Sequence, residues 1–354
     1  MKKVCIITLY GNWNYGNKLQ NYALQASIQK LGYEVTSLKN KYQQTLLEKV
    51  KYKIYKLRSG KSNISFKERE KNFKQFNEKY MIYTPYTVTY TLSQKRQKEF
   101  DKFVIGSDQV WNYGDGTISK IMFGLFTNKE KNISYAASFG VGEIPEKYIP
   151  MYKKGLNNVE SISVREEKGK KIVKQILDKN VPVVLDPTML LEKKEWEKLE
   201  QKPNFPCENY IVTYFLGNLS FEKQQEIKNI ALQNNLNVIE LNNYKFKDYF
   251  DIGPSEFLYL FHHAKLVFTD SFHACVFSII YNCPFFVYAR DDHMTNMNSR
   301  IDNLLKIFEE EKRFIKTIQE YKEDIFECHY EKTNQKFNDL KQKSIEFLKE
   351  SLEK

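Results

Sequence analysis

Short apolar runs alternate with amphipathic stretches along most of the chain. The first run, Val4 to Leu9, precedes a loop rich in Gly and Asn and then apolar positions with helical spacing from Leu19 to Leu31. Gly32 can end this helix, and Tyr33 to Leu38 is the next apolar run. The pattern predicts a strand, a helix and a parallel strand, as in an α/β protein.

The alternation continues in two series, separated by a charged segment that contains two prolines, between residues 193 and 209. Apolar runs predict further strands at 103–105, 133–136, 162–164, 181–185, 210–215, 237–241 and 266–269. Helical spacing predicts helices at 222–233, 255–262 and 274–281. We therefore predict an α/β fold of two doubly wound Rossmann-like domains that face a cleft, at 1–200 and 205–330, with a C-terminal amphipathic helix at 331–354 that packs back on them.

A basic and aromatic stretch at residues 39–81 interrupts the first series, and we interpret it as a helical insertion. The chain carries 55 Lys and Arg against 44 Asp and Glu, a net charge of +11 that attracts phosphates, nucleic acid or an anionic membrane. The stretch is compatible with peripheral contact to such a membrane, and a solvated helical face is the alternative. It lacks an RNP-like aromatic signature, so we expect no nucleic-acid partner.

The cysteines and the apolar runs bear on the compartment. Five scattered cysteines without a CxxC spacing indicate neither a disulfide framework nor a zinc site. The apolar run at the N-terminus is too short for a signal peptide, and no run approaches the ~20 residues of a membrane span. We expect a cytoplasmic protein, with contact to the inner membrane face as an option.

The segment GSDQVWN follows a predicted strand and combines groups that suit a sugar. Asp108, Gln109 and Asn112 can hydrogen-bond to hydroxyls, while the Trp111 ring can cover an apolar sugar face. Asp108 can also act as a base toward a hydroxyl, or simply cap a helix. The segment therefore predicts an acceptor-binding loop.

Three cationic residues lie where strands end or helices begin. Arg165 directly follows an apolar run, where it can clamp a carboxylate or phosphate, or form a structural ion pair with Glu166. His273 begins one predicted helix and Arg300 another, and both are candidates for contact with an anion. The neighbouring DDH at 291–293 lacks an evident third ligand, so we expect no metal site.

Seven segments, taken in order, resemble the polysaccharide pyruvyl transferase family. They are GNWNYGNKLQNYALQ, FVIGSDQVWN, ISYAASFG, SVRE, LDPTMLL, GPSEFL and TDSFHA, and the resemblance covers most of the chain, from Met1 to about Leu305. The resemblance implies a fold like that of GT-B glycosyltransferases. It also implies transfer of pyruvate from phosphoenolpyruvate to two hydroxyls of one sugar, in the biosynthesis of capsule or other cell-surface polysaccharide.

The resemblance also assigns roles to residues. Arg165 matches the arginine of the family's SVRE-like segment, and His273 matches the histidine of its RLHA-like segment, whereas Ser271 stands where many members have arginine. Arg300 or Lys18 can replace that lost cation. We assign His273 as general acid and Asp108 as base or hydroxyl-orienting group. The remaining expected contacts are to the donor through Arg165, Arg300, Ser271 and Lys18, and to the acceptor through Asn17, Gln109, Trp111 and Asn112.

The expected partners are phosphoenolpyruvate as co-substrate, without a further cofactor, and a nucleotide- or lipid-linked sugar as acceptor. The first domain is expected to hold the acceptor and the second the donor. A GT-B glycosyltransferase with a nucleotide-sugar donor is the alternative, because a two-domain cleft with Asp, His and Arg serves that donor as well.

Overall fold

Two parallel β-sheets organise the protein. The structure is a computed structural model and describes residues 1–11, 14–40, 66–114, 119–289 and 298–354, with the backbone alone at Asn298 and Ser299. The first sheet contains β1 Lys3–Ile7, β2 Glu34–Asn40, β3 Tyr83–Val88, β4 Lys102–Ile105, β5 Asn132–Ala137 and β6 Ser161–Val164. The second contains β7 Tyr210–Tyr214, β8 Asn237–Leu241, β9 Leu266–Thr269, β10 Phe285–Tyr288 and β11 Phe314–Ile315.

The strand order shows that each sheet is doubly wound. The first sheet has the order β3-β2-β1-β4-β5-β6 and the second β11-β10-β9-β7-β8, with parallel pairing between neighbours. Both orders reverse beside the first strand of the sheet, and ligands of open α/β sheets bind outside the carboxyl ends of strands at such points. The predicted α/β class is confirmed.

Helices connect the strands and cover the sheets. The α-helices are α1 Tyr15–Lys30, α2 Lys67–Tyr80, α3 Gln94–Gln97, α4 Ile149–Asn157, α5 Glu167–Leu177, α6 Lys193–Glu197, α7 Phe221–Gln233, α8 Lys247–Phe250, α9 Pro254–His263, α10 Phe272–Tyr281, α11 Asn298–Phe308 and α12 Glu331–Glu353. Short 3₁₀ helices lie at Lys120–Phe123, Lys129–Lys131, Glu146–Tyr148, Pro187–Leu190, Glu311–Arg313 and Ile318–Glu320.

One predicted strand is wrong. The segment 181–185 contributes only an isolated bridge between Val164 and Val183. Pro182 has no backbone N–H to donate, and its carbonyl accepts from the N–H of Val164 at 3.1 Å. A run of apolar residues is therefore present, but the hydrogen-bond ladder of a strand does not extend along it.

Local sequence explains why α1 begins and ends where it does. The Asn14 side chain accepts a hydrogen bond from the backbone N–H of Asn17 at 2.9 Å and so caps the first turn. At the other end Gly32 adopts a φ of +88°, a conformation that glycine reaches without strain, and its N–H bonds to the carbonyl of Gln29. The predicted turn after this helix is confirmed at Gly32.

Helices of the first half of the chain share an apolar core with the second sheet. Tyr15 of α1 stacks on Phe257 of α9 with ring centroids 4.5 Å apart, and its hydroxyl donates to the carbonyl of Ile252. From α2, the buried Arg69 donates to the carbonyl of Phe250 at 2.8 Å. Elements that follow the first sheet's strands therefore pack directly on the second half of the chain.

The predicted C-terminal helix is present as α12 and packs on the first sheet. Leu348 and Leu352 are fully buried in one cluster with Val4 and Ile6 of β1. Within the described ranges, none of the helices combines the length and the apolar composition needed to cross a bilayer.

The predicted domain limits and the division into an acceptor side and a donor side stay predictions. Of the basic stretch at 39–81, residues 41–65 lie outside the described ranges, and α2 is the described helix within it.

Candidate functional site

A cavity of about 200 Å³ lies where the carboxyl ends of strands from both sheets meet. Five residues that the sequence singles out line it: Asp108 and Gln109 after β4, Ser271 and His273 after β9, and Arg300 on α11. The other lining residues are Leu9, Asn14, Leu216, Asp270, Phe272 and Ile301. Residues separated by up to 292 positions along the chain, from Leu9 to Ile301, therefore surround one space.

Two helices present their N-terminal ends to this cavity. Asn14, the N-cap of α1, and Ser271, the N-cap of α10, both line it. The Ser271 side chain makes no capping hydrogen bond, which leaves the first amides of α10 for another acceptor. Because the N-terminal end of a helix carries a partial positive charge, this arrangement favours an anionic ligand.

His273 is held against the start of α1 and is 8% exposed. A Cβ at Gly16 would lie 2.0 Å from the imidazole Nδ1, so glycine is the residue that permits this contact. The imidazole Nε2 lies 3.7 Å from Oδ2 of Asp186. Gly16 and Asp186 therefore fix the position of the imidazole ring from two sides, and neither residue lines the cavity.

The Asp186 carboxylate connects the groups behind the cavity. It is buried and accepts hydrogen bonds from Ser107 Oγ at 3.0 Å, from Arg165 Nη1 at 2.9 Å, and from the amide and hydroxyl of Thr188. Burial alone raises the pKa of Asp186, but His273, Arg165 and these hydrogen bonds outweigh burial and hold the pKa well below its ordinary value. The sequence assigned no role to Asp186 and gave it no link to His273.

Three carboxylates surround the guanidinium of Arg165. Its nitrogens lie 2.9 Å from Asp186, 3.6 Å from Glu166 and 3.8 Å from Asp108, and the group stacks on the Phe272 ring at 4.4 Å. Burial disfavours the charged form, but the carboxylates outweigh it and raise the pKa of Arg165. The ion-pair interpretation of Arg165 fits this position, because its charge is balanced within the protein and it does not line the cavity.

Asp108 reaches the cavity from an unusual backbone conformation. Its φ of +69° rules out the helix N-cap alternative, and its carbonyl accepts from the amides of Val110 and Ser138. One carboxylate oxygen accepts from Asn17 Nδ2 at 3.4 Å. Asn17 therefore contacts the site through Asp108, while its own side chain is not part of the cavity wall.

Arg300 and Gln109 form the opposite wall. With its amide oxygen facing the guanidinium, Gln109 accepts from both terminal nitrogens of Arg300, at 2.7 and 2.9 Å. This contact joins α11 of the second half to the loop after β4. It fixes a guanidinium at the cavity surface.

Lys18 is not brought to the cavity. Its side chain is buried, and Nζ donates to the Tyr83 hydroxyl at 2.7 Å and lies near the Tyr10 ring. Burial lowers the pKa of Lys18 to about 7. The expectation that Lys18 replaces the missing arginine is corrected, since its ammonium group points at tyrosines and not at the ligand space.

Trp111 and Asn112 are not among the residues that line the cavity. Trp111 is buried in the core of the first half, where its ring stacks on Phe123 and its Nε1 donates to the Met122 carbonyl. A sugar cannot reach that ring, so its expected acceptor contact is corrected. Asn112 accepts from the amide of Gly114 at 2.6 Å and so shapes the loop itself.

Asp270 is a cavity residue to which the sequence assigned no role. Its buried carboxylate accepts from the backbone amides of Leu216 at 2.7 Å and Gly217 at 2.8 Å. These bonds fix the loop after β7 at the rim of the cavity. Its position directly after the apolar run 266–269 is the signal that marks it, as for Asp186 after the run 181–185.

Comparison with known proteins gives one family and a distant likeness of fold. The model of the family described as polysaccharide pyruvyl transferase matches residues 14–292, and no curated protein matches the chain. A UDP-GlcNAc 2-epimerase from Methanocaldococcus jannaschii has 12% identity and a TM-score of 0.49, over 89% of this chain and 88% of that one. UGT2 from Phytolacca americana has 11% identity and a TM-score of 0.40, over 99% and 98%.

Proposed function

Since this chain belongs to the polysaccharide pyruvyl transferase family, we propose that it forms a cyclic pyruvate ketal on a sugar, with phosphoenolpyruvate as donor. The acceptor is a nucleotide- or lipid-linked sugar used for cell-surface polysaccharide. One observation carries the proposal: the cavity combines an acid–base pair, Asp108 and His273, with a guanidinium and two helix N-termini.

The donor carries a phosphate and a carboxylate, so its site needs positive charge. Arg300 supplies a guanidinium that lines the cavity, and the amide ends of α1 and α10 supply partial charge. Arg165 is surrounded by carboxylates and instead sets the positions of Asp108 and Asp186. Ser271 offers a hydroxyl and the uncapped start of α10 where other family members have arginine.

The proposed reaction balances without an oxidant or a reductant. A proton adds to the methylene carbon of phosphoenolpyruvate while an acceptor hydroxyl, which loses its proton, bonds to the neighbouring carbon. The bond from that carbon to the phosphate oxygen then breaks, and a second hydroxyl of the same sugar takes its place. The proton of the second hydroxyl leaves with inorganic phosphate, and the sugar retains the ketal.

The two proton transfers fall to His273 and Asp108. His273 is placed to give the proton to the methylene carbon, because Gly16 and Asp186 fix its ring on two sides. Asp108 is placed to take the proton of the attacking hydroxyl, because its carboxylate lines the same cavity. Positioned acids and bases of this kind contribute about 10²–10⁴-fold each to a rate.

The test is turnover with phosphoenolpyruvate labelled with ¹³C in its three carbons, offered with candidate nucleotide- and lipid-linked sugars. We expect phosphate release together with labelled ketal carbon in the sugar product. His273→Asn should abolish both signals, while His329→Asn, at an exposed histidine outside the cavity, should retain them. Transfer of a sugar from an unlabelled nucleotide sugar, with no labelled product, would contradict the proposal and favour a glycosyltransferase.

A lipid-linked acceptor would place the enzyme at the cytoplasmic face of a membrane. The net charge of +11 and the basic stretch at 39–81 support peripheral contact with anionic lipid. Cosedimentation with vesicles that contain anionic lipid, and release by salt, is the expected behaviour. If the protein is recovered in the supernatant equally with anionic and neutral vesicles, it does not bind anionic membranes, and that part of the proposal is wrong.

A further inference from the structure

Two imidazoles and a carboxylate converge on a second point of the molecule, outside the cavity. Glu200 lies 3.0 Å from His262 Nδ1 through Oε1 and 3.5 Å from His263 Nε2 through Oε2. One ligand atom from each of the three residues lies within 4.8 Å of the others. A second carboxylate, Glu197, lies 3.8 Å from His262 Nε2.

The His262 and His263 rings lie close together, although neighbouring side chains of a regular helix point in different directions. His262 and His263 are the last two residues of α9, and their ring centroids are 4.5 Å apart. The His262 ring stacks on Tyr281 at 4.6 Å, and the His263 ring packs on Tyr259 at 4.3 Å. Aromatic contacts therefore hold both imidazoles toward Glu200 before any ligand binds.

We propose that Glu200, His262 and His263 form a Zn²⁺ site. Imidazole nitrogen and carboxylate oxygen are the donors that Zn²⁺ takes, and metal–ligand bonds of about 2.0–2.2 Å place such atoms roughly 3.3 Å apart. The present spacing reaches that value with shifts of about 1 Å at the end of a helix, where the side chains are partly exposed.

The site would join two parts of the chain. Glu197 and Glu200 belong to the segment that leads from the first sheet to the second, whereas α9 lies between β8 and β9. A bound ion would fasten the connecting segment to the second half. Because it would bind only the folded chain, Zn²⁺ should raise the melting temperature, whether or not the transferase reaction is as proposed.

The experiment is calorimetric titration of the chelator-treated full chain with Zn²⁺, with Mg²⁺ in parallel. We expect one Zn²⁺ per chain, no comparable binding of Mg²⁺, which prefers oxygen ligands, and a rise in melting temperature. Glu200→Gln, His262→Gln and His263→Gln should each weaken the affinity by about tenfold or more. The matched control is His329→Gln, an exposed histidine outside the cluster.

Visible absorption with Co²⁺ and circular dichroism distinguish loss of the metal site from loss of the fold. Co²⁺ in place of Zn²⁺ should give the visible absorption of a low-coordinate site, and His263→Gln should remove it. His263 is exposed, so that variant should retain the fold, which its circular dichroism checks. Absence of Zn²⁺ binding, or binding that survives in all three cluster variants and is lost in His273→Gln, would overturn the proposal.

Discussion

At the scale of the residue, Gly16 decides where His273 can lie. A methyl group at this position would lie 2.0 Å from Nδ1, so Gly16→Ala must push the imidazole away from its place beside Asp186. We expect kcat/KM to fall by about 10²-fold, the effect of a displacement of about 1 Å at a reacting group. Gly11→Ala is the matched control, because no atom of the described residues, its chain neighbours aside, lies within 4 Å of the position of its Cβ. Equal activity of the two variants would show that His273 need not be held there.

Asp186 belongs to the same scale and makes stability depend on pH. Its pKa in the folded chain is depressed, so its contribution is fully present above the unfolded pKa of about 4 and is lost as pH falls below it. Asp186→Asn should lower the unfolding free energy at pH 7 by about 3–5 kcal/mol, because Arg165 loses its closest carboxylate. When urea unfolding is measured at several pH values, the unfolding free energy of the variant should fall less toward low pH than that of the unmodified chain. Asp178→Asn, on an exposed ion pair, should change neither quantity noticeably.

At the scale of the element, α12 stabilises the first half of the chain. Leu348 is fully buried against β1, and Ser344 accepts from the Leu185 amide, so the helix closes the segment that leads to Asp186. Leu348→Ala should lower the unfolding free energy by about 2–5 kcal/mol. Leu232→Ala, at a leucine that is 79% exposed, should lower it by less than about 0.5 kcal/mol. Denaturant unfolding compares the two, and similar midpoints would mean that α12 does not support the fold.

At the scale of the whole molecule, the two sheets behave as one body because α1, α2, α9 and α10 share a core. We expect one thermal transition by calorimetry and by circular dichroism, with the same midpoint. Phe257→Ala removes the ring that stacks on Tyr15 and should cost about 3–5 kcal/mol while reducing the cooperativity between the halves. Two separate transitions in the unmodified chain would contradict a shared core.

The sequence by itself determined the α/β class, most strand positions, the family and the strand-end loops that surround the cavity. Apolar runs and their polar ends are local patterns, so they can be detected without knowledge of tertiary contacts. Asp108, Gln109, Ser271, His273 and Arg300 were all marked by such loops or by the helix that follows, and all five line one cavity. The strand predicted at 181–185 is wrong because Pro182 has no backbone N–H with which to continue the hydrogen-bond ladder beyond the single bridge at Val183.

Only the tertiary structure decided what each side chain faces. The charge of Arg165 is balanced by three carboxylates, Trp111 lies in the core, and Lys18 points at Tyr83. The contact of Asp186 with His273, and that of Glu200 with His262, join residues 87 and 62 positions apart. Burial and pairing of charge arise from such distant contacts, and they determine which cation is available to a ligand.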